Sequence, residues 1–205
     1  MIAIVDYGMG NLRSVAKAVQ RCGGDARLIT RPDELVGADK IILPGVAAFG
    51  DAMAELRSLG LVEPIVQAVK SGVPYLGFCL GLQLLFEVGY EDGEQPGLGI
   101  LPGKIVRFDF SKLTNPGRLS VPHMGWNQIN HVRPCPMLAG IPDGAYVYFA
   151  HSYHVEAPES LAVTTTDYGY RFTSSVWRDN VFATQFHPEK SQAVGLRLLE
   201  NFVRL

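Results

Sequence analysis

Short apolar runs alternate with stretches of helical period through the first half of the chain. Ile2–Val5 is an unbroken apolar run of strand length, and Gly8-Met9-Gly10-Asn11 after it has the composition of a turn. Leu12–Cys22 carries apolar residues at helical spacing and stops at Gly23-Gly24, where a helix ends readily. Ala26–Ile29 and Lys40–Leu43 read as further strands, the second closed by Pro44-Gly45. Helices are expected around Gly50–Leu59 and over Leu61–Val69, then a buried strand over Pro74–Phe78 and a helix over Leu80–Val88. Strands and helices in turn predict a parallel sheet with helices on both faces.

From Gly99 to Phe186 the pattern changes. Strand signals crowd together at Lys104–Phe108, Trp126–Ile129, Tyr146–Ala150, Leu161–Thr165, Thr173–Trp177 and Val181–Phe186, the last two joined at a hairpin-like Asp179-Asn180. The spacing predicts antiparallel strands packed onto one side of the sheet. Tyr146, Tyr148 and Tyr153, with Phe149, read as core residues. Gln192–Leu205 closes the chain as a helix. Residues 89–99 and 109–125, rich in Gly, Pro and charge, read as surface loops. No repeat, low-complexity tract or linker interrupts the pattern, so residues 1–205 are expected to form one α/β domain: an open, mostly parallel sheet with antiparallel strands in its second half.

Composition narrows the function. A chain of 205 residues, 47% hydrophobic and 19% charged, can bury a full core and has no signature of disorder. A net charge of -2 with no long basic run gives nucleic-acid binding no electrostatic footing. No apolar run reaches the roughly 18 residues of a membrane-spanning helix. The start, Met1–Asp6, lacks a basic region and turns polar too soon for a secretory signal. Three cysteines, Cys22, Cys79 and Cys135, form neither a disulfide framework nor a C-x-x-C zinc pair. The expectation is a cytoplasmic protein with no metal and no cofactor.

Gly77-Phe78-Cys79-Leu80-Gly81 follows an apolar strand and opens a helix. This is the pattern of a nucleophile elbow, with Cys as the nucleophile. A sharp strand-to-helix turn lifts the side chain above the sheet, and flanking glycines avoid clashes. The helix N-terminus favours a thiolate, and the Leu80 amide would face a developing oxyanion. A buried Cys is also an ordinary small apolar residue, so a base must be found. Of the five histidines, His123, His131, His151, His154 and His187, only His187 has a carboxylate in orienting position, in Phe186-His187-Pro188-Glu189. Residues two apart in an extended chain point to one side. Glu189 can therefore hold one ring nitrogen while the other faces the thiol. The loop Leu43–Gly50 follows a strand and could offer a second oxyanion amide. Gly8-Met9-Gly10-Asn11 lacks the third glycine of a dinucleotide loop, with Arg13 in its place, and reads as a turn. Cys22 and Cys135 read as structural or incidental.

Together the Gly77–Gly81 elbow, the Phe186–Glu189 motif and the Pro44–Gly50 loop resemble the class I, triad-type glutamine amidotransferases, whose fold is flavodoxin-like. Asp6–Val15, Pro122–Asn127 and Phe149–Tyr153 are similar to one subfamily, the glutaminase subunits of imidazole glycerol phosphate synthase in histidine biosynthesis. The resemblance covers essentially the whole chain. It implies that Cys79 forms a glutamyl thioester, with His187 transferring protons and Glu189 orienting it. It implies Leu80 and, after a peptide flip, Val46 as oxyanion donors. Gly45, Ala47, Gln83, Glu91, Ser152 and Tyr153 would hold glutamine, and Trp126 and Tyr148 would lie at a partner interface. The implied partner is a separate (β/α)8-barrel cyclase, in a heterodimer, that receives the ammonia. One departure stands out: the family loop often reads Pro-Gly-Val-Gly, whereas position 47 is Ala here. Rival readings are a glutaminase subunit serving pyridoxal phosphate, anthranilate or guanylate synthesis, a stand-alone cysteine hydrolase or peptidase, and a non-catalytic binding module.

Overall fold

Residue alternation decides which way each central strand faces. The computed structural model describes residues 1–114, 117 and 119–205. Its strands β1 (Ile2–Val5), β2 (Ala26–Ile29), β3 (Lys40–Leu43), β4 (Tyr75–Phe78) and β13 (Val181–Thr184) lie in the order β2-β1-β3-β4-β13, every neighbour parallel. Val5, Ile41, Leu43, Tyr75 and Ala183 point into one core, against α2 (Phe49–Ser58) and α3 (Val62–Lys70). Ile2, Ile4, Ile42, Leu76, Phe78 and Phe182 point into the other, against α1 (Leu12–Arg21) and α5 (Gln192–Arg204). Burial on both faces is why several of these strands read as continuous apolar runs.

The second half prolongs this sheet. β12 (Tyr170–Arg178) pairs antiparallel with β13 and leads through β10 (Tyr153–Glu156) and β7 (Leu101–Arg107) to β5 (Phe86–Gly89) and β6 (Gln95–Pro96). β11 (Ala162–Tyr168) also pairs with β12 and connects to β8 (His123–His131), which carries β9 (Ala145–His151). Ile129, Val147 and Phe149 from β8 and β9 join the core under α1 and α5. The antiparallel strands thus extend the sheet at its edge as well as covering one side.

Four expectations change. The helix expected over Leu80–Val88 is only α4 (Leu80–Gln83), after which Phe86–Gly89 becomes β5. Leu82, Leu84, Leu85 and Phe86 are all fully buried, so the run has no polar face to fix a helical register. Pairing of Phe86–Gly89 with β7 decides it. The loop over residues 89–99 contains β6, and β10 was not foreseen. The loop over 109–125 gives way to β8 at His123, and its positions 115, 116 and 118 lie outside the described residues. Tyr146 is exposed rather than core. Among the described residues no helix is long and apolar enough to cross a membrane.

Candidate active site

Three segments meet at the carboxyl ends of the parallel strands, where open α/β sheets place their ligands. They are the loop after β3, the elbow after β4 and the segment after β13. The elbow is sterically forced. Cys79 takes φ 50 and ψ -102, a backbone conformation side chains rarely adopt. Its N–H is held by the Thr184 carbonyl at 2.8 Å, and its carbonyl accepts the Leu82 and Gln83 N–H groups. A Cβ on Gly81 would lie 1.7 Å from the Leu43 oxygen, and one on Gly77 2.4 Å from the Gly81 oxygen. Both obstacles are backbone, so neither can swing aside. Gly81→Ala is therefore expected to destabilise the fold by about 3 kcal/mol or more, since overpacking a rigid site costs about that much. In a thermal melt this lowers Tm by roughly 6–12 °C for a chain of this size, and an unchanged Tm would show that α4 can shift freely.

Beyond the sulfur lies a buried base. The His187 Nδ1 is 2.9 Å from Glu189 Oε1, and both side chains are almost closed to solvent. Burial by itself would push the imidazole toward neutrality. Cys79 and Glu189 beside it more than offset that and raise its pKa to about 10. The two neighbouring acids thus make the His187 ring a strong proton acceptor. Its Nε2 is buried without a hydrogen-bond partner, and so is Glu189 Oε2. Unpaired buried polar atoms are uncommon in folded proteins, and these two leave the pair with bonding capacity to spare. The Cys79 thiol meanwhile faces the Ala150 carbonyl at 3.7 Å and the Gln185 amide at 3.6 Å.

A cavity of about 340 Å³ opens beside Cys79. Val46, Ala47, Leu80, Gln83, Glu91, Met124, His151, Ser152 and Tyr153 are among the residues that line it. Gly45 is not one of them. It lies buried beneath, because a Cβ there would be 2.1 Å from the Tyr7 hydroxyl. Tyr7 donates to the Pro44 carbonyl at 2.8 Å, and Glu91 accepts the Phe49 N–H, at the start of α2, at 2.7 Å. The Gly45–Ala48 segment is thus tied at both ends. Ala47 is not among the residues with positive φ, so in this conformation the alanine is unstrained. Trp126 is half-exposed, and its ring meets Tyr148 edge-on at 6.1 Å. The Tyr148 carbonyl in turn accepts the His187 N–H at 2.9 Å.

Sequence reading missed three contributors. Gln185 is fully buried and touches both Gln83 and Cys79. It lies two residues before His187, the same spacing that linked His187 to Glu189 in the sequence, although here the chain bends after β13 and enters a 3-10 turn at Pro188–Lys190. Tyr7 lay inside Asp6–Val15, a segment read for its resemblance without a role for the tyrosine. His151 and His123 form a buried pair at 3.0 Å. Because His151 Nδ1 must donate to the Tyr153 carbonyl at 2.8 Å, its Nε2 accepts from His123 Nδ1. Both rings are neutral, with burial lowering His151 to about 3 and His123 to about 4. No sequence spacing links these histidines; β8–β9 pairing brings them together.

The family model described as glutamine amidotransferase class-I matches residues 3–205. The imidazole glycerol phosphate synthase subunit HisH of Syntrophotalea carbinolica is 55% identical over 204 residues, covering 98% of both chains. That of Salinibacter ruber is 50% identical, covering all of this chain and 94% of its own. Among solved structures, one described as a glutamine amidotransferase superposes with a TM-score of 0.76 at 19% identity over the full length of both chains. The Thermotoga maritima PurLQS structure does so with 0.75 at 20% identity, over 99% of this chain and 97% of that one. At such identity these two structures speak for the fold alone.

Proposed function

The chain belongs to the class-I glutamine amidotransferases, and we propose that it serves as the glutaminase subunit of an imidazole glycerol phosphate synthase in histidine biosynthesis. The observation that carries this is a strained elbow cysteine beside a buried histidine–carboxylate pair, opening on a cavity large enough for a free amino acid. The Cys79 thiolate attacks the side-chain amide carbon of glutamine. The Leu80 and Val46 N–H groups receive the tetrahedral oxyanion. His187 gives a proton to the departing nitrogen, and collapse leaves a glutamyl thioester and ammonia. Water, deprotonated by the now neutral His187, then releases glutamate and frees the thiol. Glu189 orients the ring and stabilises its charge through both steps.

The whole chain, 1–205, acts as one glutaminase domain. The acceptor reaction belongs to a cyclase partner of (β/α)8-barrel form. Exposed Val46, Met124 and Trp126 offer that partner an apolar docking surface, with Val46 and Met124 at the cavity. The relatives at 50–55% identity favour this assignment over glutaminase subunits of other pathways. We place the protein in the cytoplasm, where its thiol stays reduced.

Gln83 is the candidate for glutamine selectivity. Both of its amide hydrogens are used internally, by the Tyr153 carbonyl at 3.0 Å and Gln185 Oε1 at 3.1 Å, so its oxygen is what remains to meet the substrate. With the partner present, wild type is expected to turn over glutamine but not simple esters or peptides. Gln83→Ala should raise KM about tenfold, the scale of one buried hydrogen bond. Ester hydrolysis without glutamine turnover would overturn the function, and an unchanged KM the role of Gln83.

A further inference from the structure

Gln185 has no place in the triad, yet it is the only neutral side-chain amide, among the described residues, that reaches the nucleophile. Its orientation can be worked out from the bonds around it. The Tyr153 carbonyl can only accept, so Gln83 must present its nitrogen there. The same Gln83 nitrogen lies 3.1 Å from Gln185, which must therefore present its oxygen. The end of Gln185 that lies 3.6 Å from the Cys79 sulfur is then its NH₂ group. Turning the amide over would set two donors against each other at Gln83 and a carbonyl oxygen against the sulfur. The side chain is fully buried, its backbone N–H is bonded to the Ser174 carbonyl at 2.8 Å, and the amide has no solvent to bond instead.

We propose that Gln185 is a catalytic residue whose amide N–H donates to the Cys79 sulfur and holds it as the thiolate that attacks glutamine. The inference rests on Cys79 being the nucleophile, not on which acceptor receives the ammonia. The thiol proton passes to His187, and the negative sulfur keeps the Gln185 amide as its hydrogen-bond donor. The Ala150 carbonyl, which the neutral thiol faces at 3.7 Å, cannot serve the anion. A donor that gains strength as the sulfur becomes charged favours the attacking state over the resting one. Gln83 acts through Gln185 as well as on the substrate, because it fixes which end of that amide meets the sulfur.

The test needs no glutamine. Alkylation by iodoacetamide is followed on the peptide carrying Cys79, so that Cys22 and Cys135 do not contribute, in wild type, Gln185→Met and Gln185→Glu. Gln185→Met keeps the volume and removes the donor. It should be alkylated about tenfold more slowly at pH 7, the scale of one hydrogen bond to a charged group. It should catch up with wild type near pH 10, where hydroxide takes the proton without help. Gln185→Glu, nearly isosteric, places an oxygen against the sulfur and should be slower still at pH 7. Glutamine kcat/KM in the complex should fall in the same order. Equal rates at pH 7 in the folded variants would overturn the proposal. So would a Gln185→Met deficit that persists unchanged at pH 10, since that reports access rather than ionisation. If Gln185→Met does not fold, the Gln185→Glu comparison decides alone, slower alkylation at pH 7 supporting the donor and an equal rate overturning it. Should wild type fail to hydrolyse glutamine while the alkylation pattern holds, the glutaminase reading fails and the Gln185 assignment stands.

Discussion

Cys79→Ala is expected to abolish glutamine-dependent synthesis by the complex while leaving synthesis from added ammonia at the wild-type rate. The loss should be about 10⁴-fold or more, the scale seen when a covalent nucleophile is removed. Nothing else described in the cavity wall can form the thioester: its other side chains are aliphatic, thioether, amide, carboxylate, hydroxyl or imidazole groups. Ammonia supplied from solution bypasses the glutaminase cavity, so a folded Cys79→Ala chain remains a competent subunit. His187→Ala should be nearly as damaging, because the proton for the departing nitrogen has no other source within reach. Glu189→Gln should lose less, since an amide can still hold the ring in place without stabilising its charge. Glutaminase activity near wild type in Cys79→Ala would sink the mechanism. Loss of the ammonia-dependent rate as well would show that the substitution damages the fold or the docking instead.

The parallel core and the elbow were legible because their causes are local. Apolar runs such as Ile2–Val5 and Lys40–Leu43 are buried on both faces, and the glycines around Cys79 answer to backbone atoms within a few residues or on the next strand. The His187–Glu189 contact was expected from extended chain, and the structure makes it instead through a 3-10 turn over Pro188–Lys190. Leu80–Val88 was misread because its buried stretch, Leu80–Phe86, carries no period, and the partner that makes β5 a strand lies beyond it in β7. His123, His151 and Tyr7 stayed hidden because each meets its partner across elements far apart in sequence. Gln185 was visible by spacing, but an amide draws less notice than a His or a Glu.

The isolated chain is expected to be a poor glutaminase, speeding up by about 10²–10³ when the partner and its acceptor ligand are both present, the range that one oxyanion donor is worth. Val46 is the candidate for the movable donor. Leu80 opens α4 directly after the pinned Cys79, so its N–H is fixed in direction. Val46 lies in the short segment held only at its ends, by Tyr7 on Pro44 and by Glu91 on Phe49. Between those ties its N–H meets no acceptor among the described residues. A turn of this single peptide would break neither tie. Val46 is also half-exposed beside the surface where a partner would dock, so a partner that contacts one orientation better shifts the balance. A shift of this size needs roughly 3–4 kcal/mol of differential contact, within reach of a few buried side chains. Trp126 gives the partner a second handle, through Tyr148 to the His187 N–H. Glutamine turnover is to be measured for the isolated chain, the complex and the complex with acceptor ligand, each with Trp126 and with Trp126→Ala. Trp126→Ala should blunt the activation and leave the isolated rate unchanged. Equal turnover in all three wild-type states would mean that no gate exists, and that Val46 presents its N–H to the cavity whether or not a partner is bound.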